Sequence, residues 1–145
     1  MKTLETTRLI LRDWNNSDLG CGIHTDEVIG YLIEAQNNYA VILKKTGAII
    51  GTIGLNEDAD DNKNRRNVGL RIVEEYRNMG LMSEALTEIF ADNKGNEFSW
   101  FCKTDDDRSK HLAEKFGFEY EKTFYNVQRN SNEEPKDYFY YVLKL

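Results

Sequence analysis

Between residues 67 and 103 the chain carries the succession that most restricts its fold. "NVGLRIV" (67–73) reads as a strand, "EEYRNMG" as a short loop, "LMSEALTEIFADN" as a helix and "EFSWFCK" (97–103) as a second strand. Two strands joined through a helical crossover lie parallel in one sheet, since a parallel partner needs a connection of a dozen or more residues. In the first strand Val68, Leu70 and Ile72 point one way and Gly69, Arg71 and Val73 the other. In the helix Met82, Ala85, Leu86, Ile89 and Phe90 recur at helical spacing as one apolar face, and Gly95 is placed to end it.

The flanking segments supply antiparallel material. "TTRLILRDW" (6–14) reads as a buried first strand, and "HTDEVIGYLIEA" as a helix with Val28, Tyr31 and Leu32 at helical spacing. "YAVILKK" (39–45) and "AIIGTIGLN" (48–56) form a hairpin about Gly47, and Gly51 and Gly54 mark a bulge or a close backbone approach. "DDRSKHLAEKFG" reads as a short helix capped by Asp106 or Asp107, with Leu112, Ala113 and Phe116 inward and Gly117 as its stop. "FEYEKTFYNV" (118–127) and the aromatic "DYFYYVLKL" (137–145) close the chain as strands. The expectation is an α/β (α+β) fold in a single domain over residues 1–145. Its mixed central sheet has about six or seven strands, with helices on both faces. A chain of this length buries a core without staples.

Composition removes several functions. A net charge of −6 argues against nucleic acid as a partner, which calls for a basic stripe. The acidic runs "NEDADD" (56–61) and "TDDD" (104–107) read as solvated loops, or as the rim of a mouth that draws in a cationic substrate. No apolar run approaches the roughly 18 residues of a membrane span, and the charged "MKTLETTRLILRDW" does not read as a signal peptide. Two cysteines without a dense pattern suit a reducing cytoplasm. Cys21-x-x-His24 with Cys102 and His111 invites a zinc reading, but the second pair, separated by eight residues, lacks zinc-ligand spacing, so no metal is expected. No G-x-S-x-G elbow and no phosphate-binding P-loop occur.

The loop before the helix at 81 carries the functional signal. The first N–H groups of a helix lack intrahelical partners and sit at the positive end of its dipole. Gly80 lets the backbone turn where a larger residue resists, so an anion such as a phosphate can come close. Arg77 adds a charge-assisted contact, and Met79 and Met82 offer apolar flanks. The plainer reading is an ordinary strand-to-helix connection with Gly80 as its turn residue.

Arg77-Asn78-Met79-Gly80-Leu81-Met82 resembles the acetyl-CoA loop of the GNAT N-acetyltransferases, R/Q-x-x-G-x-G/A, with Met82 in place of the last small residue. "LETTRLILRDW", "AIIGTIGL" and "DRSKHLAEKFGFEYEKT" resemble other motifs of the RimJ/RimL-like branch, in the family's order. The resemblance implies that the two parallel strands splay apart to admit acetyl-CoA. The pantetheine arm is then expected on the backbone of Leu70, Ile72 and Val73, and the diphosphate on the amides of Arg77, Asn78, Met79, Gly80, Leu81, Met82 and Ser83. It implies attack by a primary amine of a small molecule or a protein N-terminus on the thioester carbon.

That reaction wants a donor for the developing oxyanion, for which a backbone N–H near Leu70 serves. It also wants a base for the acceptor ammonium and a proton for the leaving thiolate. The family's tyrosine donor is replaced by Ala113. Ser109, which matches the serine of N-x-x-S, is the candidate near the thiol, and Asp106 stands where that motif has asparagine. Asn67 stands where relatives often carry a glutamate base, leaving Glu57 and Asp58 as candidates by position, with solvated loop residues as the plainer reading. These departures keep open a non-catalytic acyl-CoA-binding domain, and exposed strand edges invite pairing with a second copy.

Overall fold

The computed structural model describes residues 1–145. Its strands are β1 (Leu4–Glu5), β2 (Leu9–Asp13), β3 (Asn38–Leu43), β4 (Ile49–Glu57), β5 (Arg65–Ile72), β6 (Glu97–Lys103), β7 (Glu119–Val127) and β8 (Lys136–Lys144). Its helices are α1 (Asp26–Ala35), α2 (Leu81–Ala91) and α3 (Asp107–Lys115). The strands form one sheet in the order β1-β2-β3-β4-β5-β6-β8-β7. The expected parallel pair is present, with β5 against β6 from Arg65↔Glu97 to Val68↔Trp100. The sheet has eight strands rather than six or seven because the opening segment is interrupted. Thr6 N–H bonds to the Leu9 carbonyl, a turn that sets the two-residue β1 against β2. No helix is long and apolar enough to cross a membrane.

Two compact units divide the chain, Met1–Asn56 with Gly69–Lys94 and Glu57–Val68 with Gly95–Leu145. In the first, Thr25 caps α1 by accepting from the Val28 N–H, and Asp26 and Glu27 complement the dipole of its first turn. The buried face of α1 is Ile29 and Leu32, which pack with Trp14, Ala40 and Ile42. Val28 and Tyr31, the latter 66% exposed, turn outward, so the apolar stripe lies one residue round from the expected one. Leu9, Leu11 and Val41 are also fully buried. Both alternations of these strands are therefore covered. α2 rests on β1 and β2 and buries Leu81, Ala85, Leu86, Ile89 and Phe90; Leu81, not Met82, completes its inner face. α2 ends at Ala91, where Asp92 N–H reaches the Glu88 carbonyl, so Gly95 lies beyond the helix rather than closing it.

Gly51 and Gly54 of β4 mark close approach, as expected, and Gly69 of β5 adds a third. A Cβ on Gly51 would lie 2.3 Å from the Arg71 carbonyl oxygen, and one on Gly54 the same distance from Asn38 Oδ1 and 2.6 Å from Asn56 Nδ2. On Gly69 it would come within 2.9 Å of Asn56 Nδ2. The β3–β4 register also shifts between Val41 and Ile42. Backbone cannot swing aside as a side chain can. Gly51→Ala should therefore destabilise the protein by about 1–3 kcal/mol, read as a lowered thermal midpoint; an unchanged midpoint would show that the two strands part without strain.

In the second unit β6 pairs with β8 along its whole length, from Glu97↔Lys144 to Lys103↔Tyr138. α3 lies on β6 and ends as its sequence predicts. Gly117 N–H bonds to the Glu114 carbonyl and Phe118 N–H to that of Ala113, the paired bonds of a Schellman stop. Of its expected inner face only Ala113 is fully buried, while Leu112 and Phe116 are half-buried.

Candidate functional site

In the first unit the loop between β5 and α2 is the one expected to receive an anion. After a 3-10 turn at Glu74–Tyr76 the chain runs extended at Arg77, then takes positive φ at Asn78 (63°) and at Gly80 (73°). Residues 77 to 80 are all exposed. Gly80 is the N-cap of α2 and offers no side-chain acceptor to the helix, unlike Thr25 at α1 and Asp106 at α3. The first helical bond runs from Glu84 N–H to the Gly80 carbonyl, so the amides of Leu81 and Met82 precede it at the positive end of the dipole.

Two of the predicted backbone contacts are already engaged. Arg77 N–H donates to the Glu74 carbonyl, which leaves the Arg77 side chain rather than its amide for a ligand. Val73 N–H donates to the Ile50 carbonyl at 2.8 Å and its own carbonyl accepts from Tyr76, so Val73 drops out of the expected pantetheine edge. Because neighbouring residues of a strand present their backbone to opposite sides, Leu70 and Ile72 face away from β4. Both are half-buried.

Side chains distant in sequence, outside every predicted site residue, brace this loop. Arg8 donates from its backbone N–H and its Nε to the two carboxylate oxygens of Glu84, at 2.9 and 2.8 Å, and from Nη1 to the Met79 carbonyl at 3.0 Å. Thr6 Oγ1 also donates to Glu84 and accepts from Leu9 N–H. Burial alone would raise the Glu84 pKa. The bonds from Thr6 and Arg8 outweigh it and hold the carboxyl below its ordinary range. Nothing local in the sequence announces a pair 76 residues apart.

In the second unit, Asp106 caps α3 with Oδ1 on the Ser109 N–H at 3.1 Å. The Ser109 hydroxyl oxygen accepts from Trp100 Nε1 at 2.9 Å. Cys102 is buried, which pushes its thiol pKa up, a rise that a hydrogen bond with Ser109 partly offsets.

The two proposed bases are different groups. Glu57 is exposed at the last residue of β4. Asp58 is not a solvated loop residue but a buried one, 7% exposed. It accepts from the Ser99 hydroxyl, from Tyr140 OH at 2.8 Å to each oxygen, and from the Asp60 N–H at 2.8 Å. Burial works to raise its pKa, but these donors and the Asn62 amide bring it below the ordinary carboxylate value. A carboxylate so engaged is a poor base. Asn67, in the place of the relatives' glutamate, donates to Ser99 Oγ at 2.9 Å, and Arg65 Nη1 reaches Tyr140 OH at 3.3 Å. Ser99 was readable: a hydroxyl at an inward position among the aromatics of "EFSWFCK" demands a partner.

Of the zinc-like residues, His24 and Cys102 are engaged with other partners. His24 Nε2 lies 2.7 Å from Thr52 Oγ1, and its pKa is lowered by burial and by Arg71. Cys21 is exposed and Cys102 buried, both as free thiols.

Comparison with known proteins gives this arrangement a family. Residues 23–119 match the family described as the acetyltransferase (GNAT) domain. An acetyltransferase (GNAT family) from Bacillus anthracis superposes with a TM-score of 0.80 at 20% identity, over 99% of this chain and 98% of that one. A ribosomal L7/L12 alpha-N-protein acetyltransferase, RimL, in complex with coenzyme A gives 0.80 at 14% identity over the same shares. An acetyl transferase from Salmonella typhimurium, described as modifying the N-terminal serine of ribosomal protein L7/L12, gives 0.75 at 16% identity over 99% of each chain. No curated protein matches by sequence.

Proposed function

Because this chain belongs to the GNAT acetyltransferases, enzymes that move an acetyl group from acetyl-CoA to an amine, we propose that its acceptor is the α-amine of a protein N-terminus. The uncapped start of α2 behind the exposed residues 77–80 carries the assignment of the cofactor's diphosphate to this loop. The donors are the amides of Met79 to Ser83 with the Arg77 side chain, and Leu70 and Ile72 offer backbone to the pantetheine arm. The single domain of residues 1–145 is part of the same proposal.

The rival acceptor, a small cation, drew its support from the acidic runs 56–61 and 104–107, of which the second stays exposed. The support from the first run has weakened. Asp58 is buried among hydroxyls and amides, and Asp60 is paired with Lys122. The named substrate of the Salmonella neighbour and the RimJ/RimL-like motifs favour the N-terminus instead.

In the reaction the amine nitrogen forms a bond to the thioester carbon, the carbon–sulfur bond breaks and coenzyme A leaves as the thiolate. We assign stabilisation of the oxyanion to the Leu70 N–H. Removal of the ammonium proton falls to Glu57, the exposed carboxylate at the end of β4, and Ser109 is the hydroxyl beside the leaving sulfur, with Asp106 holding its turn of helix. A thiol-release assay with acetyl-CoA tests the reading against serine- and alanine-initiated peptides, a polyamine and an aminocyclitol. Turnover on the peptides is expected, lowered in Glu57→Gln. Turnover on the small amines alone would overturn the acceptor, and binding without turnover on any amine would leave only a cofactor-binding domain.

A further inference from the structure

We infer that Arg8, outside every residue so far assigned to the cofactor, is the positioning residue that sets the direction of the cradle's central amide; this rests on the proposed diphosphate site. A peptide unit is planar and trans, so fixing a carbonyl fixes the N–H that follows it on the opposite side. Arg8 Nη1 holds the carbonyl of Met79, at 3.0 Å, and the N–H in the same plane is that of Gly80. The guanidinium therefore orients the donor that sits just ahead of α2.

Three observations make this a built arrangement. Arg8 is itself anchored, its backbone carbonyl accepting from Lys44 N–H at 2.9 Å and its backbone N–H donating to Glu84. Its Nε bonds to the second oxygen of Glu84, so the side chain spans from the first turn of α2 back to the loop. Its Nη2 lies 3.7 Å from the point where a Cβ on Gly80 would stand, which places positive charge next to the glycine. Glu84 alone would repel an anion at the start of α2. Paired with Arg8 it serves as a strut, and its charge is compensated.

A planar fork is needed to reach Glu84 and Met79 at once, and an ammonium cannot reproduce it. The experiment compares two donors, acetyl-CoA and acetyl-pantetheine, which lacks the diphosphate. In Arg8→Gln the KM for acetyl-CoA should rise roughly tenfold or more, with kcat at saturation and the KM for acetyl-pantetheine unchanged. Arg8→Lys, which keeps the charge, should recover only a minor part of the loss, and it serves as the primary variant should the glutamine protein fail to fold. Full rescue by lysine would replace positioning with simple charge attraction and overturn the inference, as would an equal KM rise for both donors or no rise at all. Absence of acetyl-CoA binding by the unaltered protein would instead sink the diphosphate site on which the inference stands.

Discussion

Acetyl-CoA affinity should fall roughly ten- to a hundredfold when Gly80 is replaced by valine. Gly80 takes φ of 73°, a conformation that a β-branched residue resists. The substitution must either hold strain at the cap of α2 or swing the preceding peptide out of line. There is room for the side chain itself, since Arg8 Nη2, at 3.7 Å, is the nearest atom to its Cβ position. The effect is therefore one of backbone direction, and the fold should survive with a modest loss of thermal stability. Adding Arg77→Glu places a carboxylate where the ligand's phosphates are proposed to lie and should remove the remaining binding. Calorimetry with acetyl-CoA reads both. The same heat from the unaltered protein and the double variant would remove the loop from the cofactor site.

Asp58→Ala should cost roughly 3–5 kcal/mol, a fall of about 10 °C or more in the thermal midpoint of a chain this size. The alanine leaves Ser99 and Tyr140, both fully buried, and the amides of Asp60 and Asn62 without their common acceptor. The sign of the acid response follows from the same contacts. Asp58 has a folded pKa below its ordinary value of 3.8, so the stability it contributes is complete above that value. It is lost as pH falls through the folded pKa. Thermal midpoints measured from pH 6 downward should drop more steeply for the unaltered protein than for Asp58→Ala below about pH 4. Parallel curves would mean that the carboxylate is not what Ser99 and Tyr140 rely on.

How much was readable depended on how local the signal was. The parallel crossover, the Gly51 and Gly54 approach and the Asp106 cap each rest on a few consecutive residues, and each is found where the chain predicts it. Faces of helices were less secure, because α1 has apolar residues on more than one side. Val28, Ile29, Tyr31, Leu32 and Ile33 all compete, and only contact with Trp14, Ala40 and Ile42 selects Ile29 and Leu32, with Ile33 packed partly buried beside them. Roles set by distant partners were out of reach. Asp58 reads as one acid among several in "NEDADD"; its burial depends on Ser99 and Tyr140, 41 and 82 residues away. The occupied amides of Val73 and Arg77 belong to the same class, since a motif gives the residues of a loop but not which of their donors the fold has already used.

The side chains of Asn38 and Asn56 fill the space that glycine leaves open at 54 and 69. Any side chain at either glycine collides with an amide group, while a shorter residue at 38 or 56 would open a gap beneath it. These four positions should consequently drift as a block among natural variants, with enlargement at one tolerated only alongside trimming at another. A sequence collection that mixes them independently would reveal a looser sheet than the one described.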